Sequence, residues 1–182
     1  MMPVMPIPSP TPDDIDIVTL PPDRWEAYRD LRLTALRAEP IAFSEPYDRA
    51  AARTLEEWRR RLIDPTNWVV FAERGDTLVG LAAAYVIPDE PTAVHIVSVY
   101  VDASVRQRGV GWRILSSLIQ RVAASSAAVT LRLGVLDTNA AAIALYASLG
   151  FAVVGEQHDV VHHTGRAYDE LIMERPLRSQ HG

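Results

Sequence analysis

The chain has no cysteine among its 182 residues. That excludes a disulfide framework, a thiol nucleophile and a thiolate metal site. Lysine is missing as well: all 18 basic residues are arginine, so no lysine amine can serve in catalysis. No apolar run is long enough to cross a bilayer, and a membrane partner is not expected. Positive charge is also short. With a net charge of -5 the chain lacks the basic excess that nucleic acid binding usually requires. What is present is ordinary for a globular protein, 48% hydrophobic and 23% charged residues, in a length that suits one domain.

Residues 1–13 are rich in proline and carry no helical or strand period, so a disordered leader is expected there. The leader lacks the basic start and unbroken apolar stretch of a secretory signal, and a cytoplasmic location is expected. One domain follows over 14–178, with a short tail at 179–182. Ile15 to Leu20 reads as a first strand, ended by Pro21-Pro22. Trp25, Tyr28, Leu31, Ala35 and Leu36 share a helical face that stops before Pro40. Thr54, with Glu57 three residues on, has the form of a capping box for a second helix through Leu62.

Trp68–Glu73 and Thr77–Val86 read as a hairpin about Gly75, with Gly80 marking a bulge or a close approach of backbone. Pro88 to Pro91 breaks the pattern before a strand from Val94 to Val101. Further strands are expected at Val129–Val135, Phe151–Gly155 and Tyr168–Met173, the last two joined by a polar connection from His158 to Arg166. A short alanine-rich helix ends at Gly150. The whole predicts one mixed α/β domain.

The most informative stretch joins the Val94–Val101 strand to an amphipathic helix carrying Val110, Ile114, Leu115, Leu118, Ile119 and Val122 on one stripe. Between them lies Arg106-Gln107-Arg108-Gly109-Val110-Gly111. Helix starts leave amides unpaired, glycines let a ligand come close, and the helix dipole favours negative charge. Arg106 and Arg108 add charges suited to phosphate oxygens. A lone Gly-x-Gly is by default a solvated loop; strand, Arg-x-x-Gly-x-Gly and helix in this order shift the balance to a phosphate site. A mononucleotide P-loop is excluded because Trp112 and Arg113 follow Gly111. A dinucleotide fingerprint fails on Ile114.

Tyr100 to Gly111 resembles the acetyl-coenzyme A signature of the GNAT superfamily of N-acetyltransferases, Gln/Arg-x-x-Gly-x-Gly/Ala after a valine-rich strand. Asn139 to Phe151 resembles the family's C-terminal motif, with an asparagine, the pair Leu145-Tyr146 and the terminal Gly150-Phe151. Ala103 departs from the proline common at its position. The resemblance implies an α/β (α+β) domain: a single mixed, mostly antiparallel central sheet of about six to seven strands flanked by about four helices. It also implies acetyl-coenzyme A as cosubstrate, no metal, and a possible homodimer through the C-terminal strands.

By the same resemblance Val99, Tyr100 and Val101 would meet the pantetheine arm through their backbone, with the Val99 amide steadying the oxyanion. Arg106, Gln107, Arg108, Gly109, Val110, Gly111 and Trp112 would form the diphosphate cradle. Asn139 would bond the pantetheine or cap its own helix. Tyr146 would donate a proton to the leaving thiolate; packing on Phe151 is common for such a residue, but the motif favours the donor. His95, where some members carry a catalytic glutamate, would be the base; a histidine bonded to a strand carbonyl or to solvent is the even alternative.

Glu73, His158, His162 and His163 are reserve bases; the adjacent His162 and His163 are expected to be exposed, and two histidines without a carboxylate nearby make a poor case for metal. The loop bearing Phe43, Ser44 and Glu45 would line the acceptor pocket, with Ile41 and Phe43 read as anchors to the core and Glu45 as either an amine-attracting or a merely solvated charge. The acceptor expected is a small-molecule primary amine. A polypeptide N-terminus or lysine, or a non-catalytic acyl-coenzyme A sensor, stand as alternatives.

Overall fold

The structure is a computed structural model that describes residues 14–177. The leader expected over residues 1–13 and the tail over 179–182 lie outside these. Seven strands form one sheet: β1 (Ile15–Val18), β2 (Asn67–Arg74), β3 (Thr77–Ile87), β4 (Glu90–Val101), β5 (Thr130–Leu136), β6 (Ala152–His163) and β7 (Arg166–Pro176). Their order is β1-β2-β3-β4-β5-β7-β6, antiparallel except where β4 meets β5. The helices are α1 (Trp25–Ala38), α2 (Tyr47–Ala51), α3 (Leu55–Ile63), α4 (Val110–Ser125) and α5 (Ala140–Ser148). Among the described residues no helix is long and apolar enough to cross a membrane.

The period-2 alternation of the strands supplies two cores. In β2, Val70 and Ala72 join one buried cluster while Val69 and Phe71 join the other. The first cluster is closed by the stripe of α4, with Ile114, Leu115, Leu118 and Val122 buried, and by Tyr146 of α5. The second is closed by α1 and α3. There Tyr28 packs edge-on against Trp58 and Phe71, with ring centroids 5.2 and 5.3 Å apart, and such pairs add about 0.5–1.5 kcal/mol each to the burial. The Thr54–Glu57 capping box is formed and starts α3. Gly80 lies at a register shift against β2, and a Cβ there would come within 2.8 Å of Ile114 Cδ1 and 3.1 Å of the Tyr100 carbonyl oxygen. Both expectations for Gly80, bulge and close approach, hold together.

Three elements differ from the sequence reading. β4 begins at Glu90, so the expected break is only the turn at Pro88 and Asp89. Pro91 is tolerated because its stretch has β3 alone beside it; pairing with β5 starts at Ala93. The polar connection from His158 to Arg166 is instead the far half of a long β6–β7 hairpin, turned by Thr164 and Gly165, both at positive φ. α2 was not expected; at five residues, with only Ala50 buried, it shows no period to read.

Two features of β4 place the site. Leu81 pairs with Tyr100 and Ala83 with Val97, so Ser98 and Val99 together oppose Ala82 as a bulge, with Ser98 at φ 58°. The parallel pairing with β5 runs only from Ala93–Thr130 to His95–Arg132. Beyond it the two strands part, and the middle of the sheet opens.

Candidate active site

Two cavities fill that opening. The larger, of 620 Å³, reaches His95, Arg132 and the β6 residues Val154 to Gln157. The smaller, of 220 Å³, runs along Val99, Tyr100 and Val101 toward Arg106, Asn139 and Leu145. They share one wall: Ala42, Ser44, Val99, Gly134, Tyr146 and Glu170. The expected residues Tyr146, His95, Val99 to Val101, Arg106, Asn139 and Ser44 thus come together from four stretches of chain: the loop before α2, β4, the turn before α4, and α5 with its cap.

At the start of α4 the backbone turns through Gln107 (φ 60°) and Gly109 (φ 75°). The Arg113 amide donates to the Gly109 carbonyl at 3.0 Å, so the amides of Val110, Gly111 and Trp112 precede the helix's own acceptors. A Cβ on Gly109 would meet nothing within 4 Å, so no atom crowds the loop at that position, and residues 107–112 lie outside the linings of the two cavities. Gly111 serves another purpose. Its Cβ would lie 3.1 Å from Leu145 Cδ2 and 3.6 Å from Val101 Cγ2, so its bareness lets α4 pack against α5 and β4. Gln107 and Arg108 stand in the turn, and Trp112 is about half exposed on the first helical turn.

Arg106 lines the smaller cavity and also has partners within the chain. Its Nε donates to the Val101 carbonyl at 2.8 Å and its Nη2 pairs with Glu39 at the end of α1, so it fastens the wall of the smaller cavity. Asn139 caps α5, its Oδ1 accepting from the Ala142 amide at 3.1 Å while it lines the smaller cavity. Tyr146 has the packing contact and also lies in the cavity wall. It packs against Phe151 at 6.2 Å between ring centroids and faces both cavities; burial pushes its phenol well above the ordinary value, so the proton stays on through the neutral range.

His95 is the last β4 residue paired with β5 and lines the larger cavity. Its Nδ1 lies 3.2 Å from the Tyr85 hydroxyl. Burial, and then the charge of Arg132, hold the imidazole below its usual value and therefore neutral at pH 7. Of the acceptor-side residues, Phe43 and Ser44 line the larger cavity. Glu45 does not present a charge to an amine as expected, nor is it solvated: it is paired with Arg32 at 3.4 Å and with Arg53. That half-buried triad, with Arg32 also stacked over Phe43 at 4.6 Å, fastens the loop to α1.

Glu73 is bound to Arg24 at 2.6 Å. His158 has Asp169 at 3.0 Å, brought beside it by the β6–β7 hairpin. The His162 side chain lies outside the described residues.

Glu170 was not singled out in the sequence. It projects from β7 into the wall shared by the two cavities, and its carboxylate lies across Gly134 of β5. Burial raises its carboxyl above the usual range. The signal that could have found it is a glycine in the middle of a strand, a place where something else comes close.

A family model described as Acetyltransferase (GNAT) family matches residues 25–151. The [Ribosomal protein bS18]-alanine N-acetyltransferase of Salmonella typhimurium is 35% identical over 102 residues, 56% of this chain and 66% of that relative, just under two thirds of its length. The N-alpha-acetyltransferase RimI of Mycobacterium tuberculosis is 33% identical over 125 residues, 68% of this chain and 73% of the relative. Among solved structures, a phosphinothricin acetyltransferase of Sinorhizobium meliloti in complex with acetyl-coenzyme A superposes with a TM-score of 0.75 at 19% identity, over 90% of this chain and 88% of that one.

Proposed function

Because the chain belongs to the Acetyltransferase (GNAT) family, we propose that it transfers the acetyl group of acetyl-coenzyme A to a primary amine by direct attack, with donor and acceptor bound together. The observation that carries this reading is the pair of cavities meeting at Tyr146 in the gap between β4 and β5. The smaller cavity suits the pantetheine arm, and the cradle before Val110, Gly111 and Trp112 suits the diphosphate. Val99 supplies the oxyanion donor from its amide, and Tyr146 supplies the proton for the departing sulfur. No acetyl-enzyme is formed, and no cysteine exists to carry one.

The acceptor we favour is the α-amine of a polypeptide N-terminus. The names of both curated relatives support it. The small-molecule amine expected from the sequence is the second reading. In its favour is the volume of the larger cavity, 620 Å³, which falls in the range of small-ligand pockets. Incubating the full chain with acetyl-coenzyme A and parallel panels of N-terminal peptides and small primary amines, while following free thiol, tests both. Thiol release with one panel names the acceptor class. Tight binding of acetyl-coenzyme A with no release from either panel would replace the enzyme with a sensor.

A further inference from the structure

An amine must lose a proton before it attacks, and the base has to stand where donor and acceptor meet. That place is the wall common to the two cavities, formed by Ala42, Ser44, Val99, Gly134, Tyr146 and Glu170. Two of these six carry an acid or base, the Tyr146 phenol and the Glu170 carboxyl. His95 lines the larger cavity but not the shared wall.

The position of Glu170 is built by the sheet. Alternation along β7 turns Glu170, Ile172 and Glu174 to the larger cavity. Glu170 pairs with Leu136 of β5, and its side chain crosses toward the middle of that strand. A Cβ on Gly134 would stand 2.3 Å from Oε1, 2.4 Å from Cδ and 2.7 Å from Oε2 of Glu170. A side chain at 134 and the carboxylate cannot hold these positions together, so the flexible end of Glu170 would have to swing away, and Gly134 does not have the positive φ that would otherwise call for glycine. Glycine at 134 is therefore room for the carboxylate. Among the described residues no hydrogen bond or ion pair engages it, and burial alone makes it a stronger base than a solvated glutamate.

We propose that Glu170, rather than His95, is the general base of the transfer. The assignment rests on the acetyltransferase reading above. The acceptor ammonium gives one proton to the Glu170 carboxylate, and the freed lone pair forms the C–N bond at the thioester carbonyl carbon. When the tetrahedral adduct collapses, the C–S bond breaks and sulfur leaves with its electron pair, taking the Tyr146 proton. The second surplus proton on nitrogen restores the phenol, and Glu170 returns its proton to water. The charged or titrating groups that line the two cavities with Glu170 are Tyr146, His95, Glu156, Glu174, Arg132 and Arg32 on the larger side and Tyr100, Glu39 and Arg106 on the smaller, the last two paired with each other. Arg132 is held by Glu174 and Glu90, and Arg32 by Glu45.

The test uses the full-length protein with acetyl-coenzyme A and an acceptor identified in the panels. Glu170→Gln should lower kcat/KM by about 100-fold or more, keep the affinity for acetyl-coenzyme A in calorimetry, and lose the acidic limb of the pH profile. His95→Gln should keep that limb. Glu170→Ala combined with Gly134→Asp returns a carboxylate to the same space from the neighbouring strand, and should recover about tenfold or more of the rate lost in Glu170→Ala.

A Glu170→Gln rate and acidic limb like those of the wild type would overturn the assignment while leaving the acetyltransferase reading intact. Loss of acetyl-coenzyme A affinity alongside rate would also overturn it, by making Glu170 a structural residue. A wild-type protein that releases no thiol from any acceptor would overturn both.

Discussion

Gly109→Ala separates the cradle from its surroundings. Gly109 sits at φ 75° and ψ 7°, and its missing Cβ faces open space. The added methyl meets no atom, so the whole effect is the left-handed backbone, which costs an L side chain about 1–2 kcal/mol. If the loop keeps its shape, that strain falls on folding. For a domain of this size it lowers Tm by roughly 2–8 °C, at about 2–4 °C per kcal/mol. If the loop relaxes, the strain is met on binding, and acetyl-coenzyme A loses roughly 5- to 30-fold in affinity, since 1.4 kcal/mol is about tenfold.

Calorimetric titration and thermal melts read the two shares, and their sum is fixed by the backbone. Gly109→Asn is the control, because asparagine visits this region more readily and should fall between alanine and glycine. Gly111→Ala should behave differently. Its position is ordinary helix, where alanine gains about 1 kcal/mol over glycine, offset by the 3.1 Å approach to the movable end of Leu145. A Gly109→Ala protein that binds and melts like the wild type would refute the account of the loop.

Tyr146→Phe should cut kcat by roughly 10²- to 10⁴-fold, the usual reach of a general acid, with acetyl-coenzyme A affinity retained; unchanged turnover would remove the phenol from the chemistry. Because burial holds His95 below its unfolded value, the native protein binds fewer protons than the unfolded chain once the pH drops under about 6.5. Its stability should therefore fall on acidification through that range, and less steeply in His95→Gln; equal slopes in denaturant titrations would contradict the burial. Glu170 has the opposite sign. Its raised carboxyl means that ionisation opposes folding above the ordinary glutamate range, so Glu170→Gln should melt higher than the wild type at neutral pH and lose the advantage as pH approaches that range. A lower melting point at pH 7 would show that the carboxylate makes stabilising contacts.

Much of the fold is legible because each element has one buried face. The α4 stripe, the β2 alternation and the Thr54–Glu57 cap all register as spacing. What escapes is structure without such a face. The outer half of the β6–β7 hairpin is polar because its residues are largely exposed, and α2 is too short for a period. In the candidate site, the proposed cradle lies inside one contiguous motif that spacing picks out, and Tyr146 is singled out through the family resemblance. Spacing gives no sign of the ion-pair partners of Glu45 and Arg106, which lie outside their motifs: Arg32 and Arg53 hold one, Glu39 the other. Glu170 was hidden for the same reason. Its meaning comes from Gly134, which only the β5–β7 register brings beneath it.

The central claim is that the parting of β4 and β5, with the amides at the start of α4, receives the acyl donor. A crystal structure of the full chain with acetyl-coenzyme A tests it most directly. The account predicts the diphosphate against the amides of Val110 to Trp112 and the thioester beside Tyr146 and Val99. A donor bound elsewhere, with that gap left vacant, would contradict it.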